Sequence, residues 1–324
     1  MNTAARLGVY GAGLVLLFGA AFAAAGALIP DEAVTARADD EAASHDMAAD
    51  EGSAASTAGH EDEGHENPGH VSGVSITQEG FTLGPIASPA EAKQQGTLSF
   101  RILNTTGDPV TEFVTAHEKK LHLIIVRTDG SGYRHVHPDL DSATGTWSLP
   151  WTWEAAGTYR VYADFVAQGD VAATLSRAVD VRGSFDPAPP VSPTARDSVD
   201  GFDVTISGDL VAGAASELTV RVTRDGAGVT DLEPYLGAFG HLIALREGDL
   251  AYLHVHAHGA EPEPGAIAGP EVVFTAEAPT AGRYLLFLDF QVDGEVHSAR
   301  FVLDAAPPVP GASPQGGSGV QDSH

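Results

Sequence analysis

HLIIVRTDGSGYRHVH at residues 122–137 and HLIALREGDLAYLHVHAH at 241–258 are one phrase written twice. The sixteen positions of the first copy align without a gap to the first sixteen of the second. In each, a histidine opens an apolar strand and a His-Val-His closes the next. Between them lie turn residues, Thr128-Asp129-Gly130 and Glu247-Gly248-Asp249, so each copy reads as a β-hairpin. A two-residue Asp129-Gly130 loop sets His122 across from His137 and Ile124 across from His135. The same count, with Gly248-Asp249 as the loop, sets His241 across from His256. Strand side chains alternate, so His122, His135 and His137 share a face. Opposed Cβ atoms on such a ladder lie roughly 4.5–5.5 Å apart. The expectation is a three-imidazole patch in each copy, with His254 and His256 completing the second and His258 extending it. A longer loop would shift the register and weaken that expectation.

The repeat extends well beyond the hairpins. Val110–His137 aligns ungapped with Val229–His256, and GTYRVYADF (157–165) aligns with GRYLLFLDF (282–290) after a six-residue insertion. Leu98, Phe100 and Ile102 match Leu218, Val220 and Val222, one inward face in each copy. A period of about 120 residues marks a duplicated domain rather than a solenoid unit. Apolar runs near 81–86, 98–103, 121–127, 133–137, 147–153, 159–166 and 171–181, with turn residues between them, give the pattern of a β-sandwich. The fold class is therefore all-β, with tandem immunoglobulin- or cupredoxin-like sandwiches at 71–181 and 202–304. A Pro-rich linker at 182–201 joins them, and a Pro/Gly/Ser-rich tail follows at 305–324.

Residues 1–30 hold a membrane segment. Leu7–Ile29 carries no charge, Arg6 precedes it, and Asp31 and Glu32 follow. Its 23 residues are enough to span a bilayer with the N-terminus inside. Ala21-Phe22-Ala23 and Ala36-Arg37-Ala38 also suit signal cleavage, so anchor and cleaved signal both stand. Either places the bulk of the chain outside the cytoplasm, single-pass or secreted. Residues 31–70 hold twelve acids against Arg37, a net of −11, and almost nothing able to form a core. Such a segment is expected to be a disordered tether, and its His45, His60, His65 and His70 suit weak capture of divalent metal.

Composition narrows the chemistry. A formal charge of −27 argues against nucleic acid and favours cations. The absence of cysteine excludes disulfides, thiolate zinc, iron–sulfur and blue-copper centres. Two methionines leave little for a thioether site, so the 14 histidines are the borderline-soft ligands. Three neutral imidazoles suit Cu(II) or Zn(II) with positions left open. Tyr133 and Tyr252 share the histidine face, and Asp164 and Asp289 are candidate supports for the rings. His117 and His297 have no counterpart in the other copy and read as surface residues. The competing reading makes the repeated histidines hydrogen-bonded structural residues in an envelope interaction module.

His117-Glu118-Lys119-Lys120-Leu121-His122 approaches the metalloprotease H-E-x-x-H but is one residue too long and lies in strand context. No G-x-S-x-G, P-loop or dinucleotide fingerprint is present, and no enzymatic machinery is expected. The His-Val-His pairs resemble the copper-ligand pair of copper–zinc superoxide dismutases, over a few residues only. Together, the N-terminal segment, the acidic linker and the phrases PYLGAFGHLIALREGDLAYLHVHAH and GRYLLFLDFQVDGEVHSARFVL resemble membrane-anchored secreted proteins of high-GC bacteria with tandem HVH domains. That resemblance covers roughly residues 70–304 and implies a metal- or copper-binding label. The resulting expectation is an extracytoplasmic protein holding Cu(II) or Zn(II) on His122, His135, His137, His241, His254, His256 and His258. Its partners would be the membrane, through 7–29, metal ions and an envelope protein.

Overall fold

Along His122–Arg127 every residue is buried, which a strand with only one covered face could not achieve. Leu123 and Ile125 pack into one apolar cluster and Ile124 and Val126 into another, so both faces are covered. The computed structural model describes residues 72–189, 192–253, 255–263 and 265–308. The membrane segment at 7–29, the acidic linker at 31–70, His254 and most of the 305–324 tail lie outside them. Among the described residues no helix is long and apolar enough to cross a membrane.

The first repeat comprises β1 (Thr77–Gln78), β2 (Phe81–Leu83), β3 (Gln95–Leu103), β4 (Phe113–Val114), β5 (His122–Arg127), β6 (Arg134–Val136), β7 (Asp139–Asp141), β8 (Thr146–Thr152), β9 (Gly157–Ala167) and β10 (Val171–Val181). One sheet runs β1-β2-β3-β8-β7 and the other β10-β9-β5-β6, with β4 on β9. The second repeat comprises β11 (Arg196–Val199), β12 (Phe202–Ser207), β13 (Ala215–Arg224), β14 (Ala227–Gly228), β15 (His241–Arg246), β16 (Tyr252–Leu253), β17 (Val255–Ala257), β18 (Glu271–Glu277), β19 (Gly282–Val292) and β20 (Glu295–Ala305). Its sheets run β11-β12-β13-β18-β17, with β14 on β13, and β16-β15-β19-β20. Each repeat is a β-sandwich over its own core. Leu98, Phe100, Trp147 and Val161 lie in the first core, and Leu218, Val220, Phe274 and Leu286 in the second.

Two boundaries differ from the sequence reading. Arg196–Val199, assigned to the linker, is strand β11 on β12. Ala305 completes β20 rather than starting the tail, and the Ala306 N–H donates to the Leu210 carbonyl at 2.8 Å. The first part of the linker is also tied down. Arg127 donates to both carboxylate oxygens of Asp129, at 3.0 and 2.6 Å, and Asp129 accepts the Ala188 N–H at 2.8 Å.

The hairpin turns are longer than expected, yet the register survives. In the first, Arg127 N–H donates to the Ser131 carbonyl at 2.8 Å and Gly130 N–H to the Arg127 carbonyl at 2.7 Å, enclosing a three-residue loop. One extra residue before β6 then restores Ile124 opposite His135. In the second, Arg246 N–H donates to the Ala251 carbonyl at 2.9 Å around a four-residue loop centred on Gly248-Asp249. That symmetry keeps Ala244 opposite Leu253.

A third apolar cluster belongs to neither sandwich alone. Ile124, Val126 and Tyr162 from the first repeat meet Ile243, Leu245, Leu250, Tyr252, Leu285, Phe287 and Val302 from the second. The outer faces of β10-β9-β5-β6 and β16-β15-β19-β20 are thus packed on each other. The Tyr133 ring stacks on Phe287 with centroids 4.1 Å apart and planes 3° apart. The Tyr162 hydroxyl donates across the seam to the Leu250 carbonyl. Gly130, at φ +76°, lies so close that a Cβ there would sit 2.5 Å from Leu285 Cδ1. Phe287→Ala is expected to destabilise the protein by about 3–5 kcal/mol through the cavity it leaves. Urea unfolding measures this, and an unchanged midpoint would show the seam to be energetically idle.

Candidate metal centre

At one end of the seam the apolar surface gives way to imidazoles. His122 is the first residue of β5 and continues the outward row of Ile124 and Val126, although it is only 5% exposed. His135 and His137 flank Val136, which packs against the first core, so alternation turns both rings onto the same outer face. The His122 Nδ1 lies 3.1 Å from His135 Nε2 and 3.2 Å from His137 Nε2. One ligand atom from each of the three rings falls within 4.8 Å of the others.

The second repeat reaches into this cluster. His241 opens β15 opposite Asp289 on β19, as His122 opens β5 opposite Asp164 on β9. Because the two outer faces meet, Asp289 serves the histidines of the other repeat. Its Oδ2 accepts His135 Nδ1–H at 2.9 Å and the Tyr133 hydroxyl at 3.0 Å, and its Oδ1 accepts the Ser298 hydroxyl. Asp289 is 2% exposed, so its desolvation is offset by these three donors. Asp164 accepts the Thr174 hydroxyl at 2.7 Å. The His241 ring lies parallel to His122, with centroids 5.7 Å apart and planes 5° apart, and 5.1 Å from His135.

These outer hydrogen bonds fix the tautomers. His135 Nδ1 carries its proton toward Asp289, which leaves the Nε2 lone pair bare. His122 Nε2 donates to the Ala116 carbonyl at 3.2 Å, which leaves Nδ1 bare. With the rings neutral, His122 Nδ1 and His135 Nε2 present lone pairs to each other at 3.1 Å, and His137 Nε2 lies 3.2 Å from the same His122 nitrogen. Around a tetrahedral Zn(II) with metal–nitrogen bonds near 2.0–2.1 Å, neighbouring nitrogens would lie about 3.3 Å apart. The observed 3.1 and 3.2 Å come near that spacing and are equally the lengths of imidazole–imidazole hydrogen bonds.

Burial favours the neutral form of His122, His137 and His241. The pKa of His122 is lowered from 6.5 to about 4, chiefly by burial and then by His135. That of His137 is lowered to about 3, again by burial first and then by His135 and His122. His241 lies well below the ordinary value for the same leading reason. Neutral imidazole is the form a metal takes.

The other expected ligands go elsewhere. Among the described residues no second group of three clustered imidazoles forms on β15 and β16, because the chain after Leu253 changes sheets and β17 pairs with β18. Val255 and Ala257 pack toward the second core, so alternation turns His256 and His258 outward. His256 stands opposite Thr275, and His258 Nε2 pairs with the Thr275 hydroxyl. His254 lies outside the described residues. His117 is exposed, as its lack of a counterpart suggested, whereas His297 is not the surface residue expected. The His117 ring sits 6.1 Å from His122 and 5.9 Å from His241. His297 is 7% exposed, and its Nδ1 pairs with Asp200 at 2.9 Å.

The fold and this cluster define a class: a pair of duplicated β-sandwiches carrying a histidine centre at their seam. Residues 76–183 and 197–307 each match the family described as a domain of unknown function, DUF8832, and the chain belongs to that family. No curated protein matches the sequence. Among solved structures, a DUF4426 family protein from Pseudomonas aeruginosa is 12% identical, with 35% of this chain and 95% of that one covered and a TM-score of 0.26. The Escherichia coli adhesin FdeC is 13% identical, with 72% and 66% covered and a TM-score of 0.24. A segment of two fibronectin type-III domains from chicken tenascin is 14% identical, with 69% and 97% covered and a TM-score of 0.21.

The lowered imidazole pKa values set a sign for stability. Without metal, unfolded histidines take up protons near 6.5 while folded His122 and His137 do not until about 4 and about 3. Stability is therefore fully present above 6.5 and falls as pH drops through the window between those values. Urea midpoints measured on metal-free protein at pH 7, 6 and 5 are expected to fall. The fall should shrink in His137→Gln, and a flat profile in the parent would contradict the buried neutral cluster.

Proposed function

We propose that this protein binds one divalent metal ion, Zn(II) or Cu(II), outside the cytoplasm, and holds it on His122, His135 and His137 for sequestration or handover. The observation that carries the reading is the convergence of three ring nitrogens, with His122 Nδ1 3.1 Å from His135 Nε2 and 3.2 Å from His137 Nε2. A bound cation would take the place of the protons these nitrogens share. Asp289 acts as the carboxylate behind a metal-bound imidazole, fixing the His135 ring and making it a better donor. The −27 charge and the lack of cysteine fit a divalent ion rather than Cu(I). In this reading the sandwiches, immunoglobulin- or cupredoxin-like, serve as a rigid mount. Residues 7–29 hold the chain at the membrane or are cleaved to release it. The repeat in sequence led to an expectation of two patches, and among the described residues one three-histidine group supports the reading.

The test is equilibrium dialysis and thermal unfolding of the full chain with Zn(II). One equivalent should survive desalting and raise the melting temperature, since an ion at 100-fold its Kd adds about 2.7 kcal/mol. His122→Ala or His135→Ala should abolish both effects, and Asp289→Asn should weaken binding by about 10–100-fold. The paired change His256→Ala with His258→Ala should leave the tight equivalent in place. Retention of that equivalent in His122→Ala would overturn the assignment. Release on acidification should follow the lowered pKa of about 4 rather than the ordinary 6.5.

A further inference from the structure

A cleft of about 270 Å³ opens beside the triad, lined from the first repeat by His117 and Asp164 and from the second by His241, His256, His258 and Glu261. None of the triad residues lines it. The imidazoles connecting the cleft to the triad become more buried toward the centre: His117 is exposed, His241 half-buried and His122 buried. Their rings are spaced evenly, 5.9 Å from His117 to His241 and 5.7 Å from His241 to His122. Among the described residues His241 makes ring contacts with His117, His122 and His135 and no hydrogen bond.

The approach carries charge of one sign. A larger cavity of about 650 Å³ shares Glu261 and Pro262 with the cleft and adds Glu118, Glu233 and Glu263. His117 is also held there at a conformational cost. It and Glu118 occupy φ values of 47° and 63° in a turn closed by paired Ala116 and Lys119 backbone bonds of 2.9 and 3.0 Å. Such a turn asks for Asn-Gly at its centre, and the second repeat supplies Leu236-Gly237.

We propose that the cleft is the loading route for the ion and that His117 and His241 are transfer ligands passing it from solvent to the triad. The inference rests on the triad being the metal site. His117 meets the hydrated ion, which the surrounding carboxylates concentrate. His241 takes it over half-way, and His122 draws it into the buried position. Transfer ligands speed arrival and departure alike, so their removal should slow both while leaving equilibrium affinity nearly unchanged. A permanent fourth ligand would behave in the opposite way.

Stopped-flow absorption with Co(II) on the full 324-residue chain separates these cases. Four-coordinate Co(II) on imidazoles absorbs visibly far more strongly than the six-coordinate ion held weakly by carboxylates. His241→Phe keeps the ring stack without its nitrogens, and His117→Asn tolerates the left-handed turn. Each should slow association and dissociation by about tenfold or more, the scale that a charged, focused approach contributes to on-rates. Affinity should stay within about threefold, because the route is not part of the final site. Should His241→Phe fail to fold, His117→Asn at its exposed turn still decides the matter. Unchanged rates in the variants, or lost affinity at unchanged association rate, would overturn the relay while leaving the triad intact. If the parent chain shows no tetrahedral Co(II) band, or if His122→Ala keeps it, the triad reading itself fails and the relay falls with it.

Discussion

Each sandwich has one outer face that it cannot leave to water, and the rest of the structure follows from that. Ile124, Val126 and Tyr162 on one side and Ile243, Leu245, Leu285 and Phe287 on the other are as apolar as the two cores. Removing such surface from water stabilises by roughly 25 cal/mol for each square ångström, which docks the repeats back to back. Docking brings Asp289 of the second repeat within hydrogen-bond reach of His135 and Tyr133 of the first. That carboxylate then decides where the His135 proton sits, and with it the chemistry of the triad.

Duplication without symmetry is the second theme. His122 and His241 open equivalent strands and pair with equivalent aspartates, yet one is a triad member and the other lies alongside it. Asp289 accepts His135 across the seam, while Asp164 accepts the hydroxyl of Thr174. The largest divergence follows the closing His-Val-His. In the first copy the strand stays on β5 long enough for both histidines to join the outer face. In the second the chain has already moved to β18, and His256 is exposed. Among the described residues the two copies of the hairpin give one three-histidine group, with His241 of the second copy beside it.

Much of this was legible in the sequence because strand alternation is a short-range rule. The strands from 95–103 to 171–181 and the pairing of Ile124 with His135 follow from apolar periodicity alone. The first three ligands follow from that pairing. The turns were misread in length, but the bulge before β6 and the symmetric second loop cancelled the error in register. What the sequence could not supply was the seam. Whether Ile243 faces solvent, a membrane or another sandwich is not written in its neighbours. Asp289 as the partner of His135, and His117 as a neighbour of His241, therefore depended on tertiary contact. The one available hint was the run His122–Arg127, apolar on both faces, which implies a strand covered twice. The sheet change after Leu253 was foreshadowed only by Val255 and Ala257, whose apolar side chains favour the second core over the seam.

X-ray absorption of the full chain loaded with a single equivalent of Zn(II) addresses the central claim most directly. The account predicts a first shell with three imidazole nitrogens near 2.0–2.1 Å, and loss of that shell in His135→Ala. A shell made mainly of carboxylate oxygen, unchanged by His135→Ala, would contradict it and return the buried histidines to a structural role at the seam.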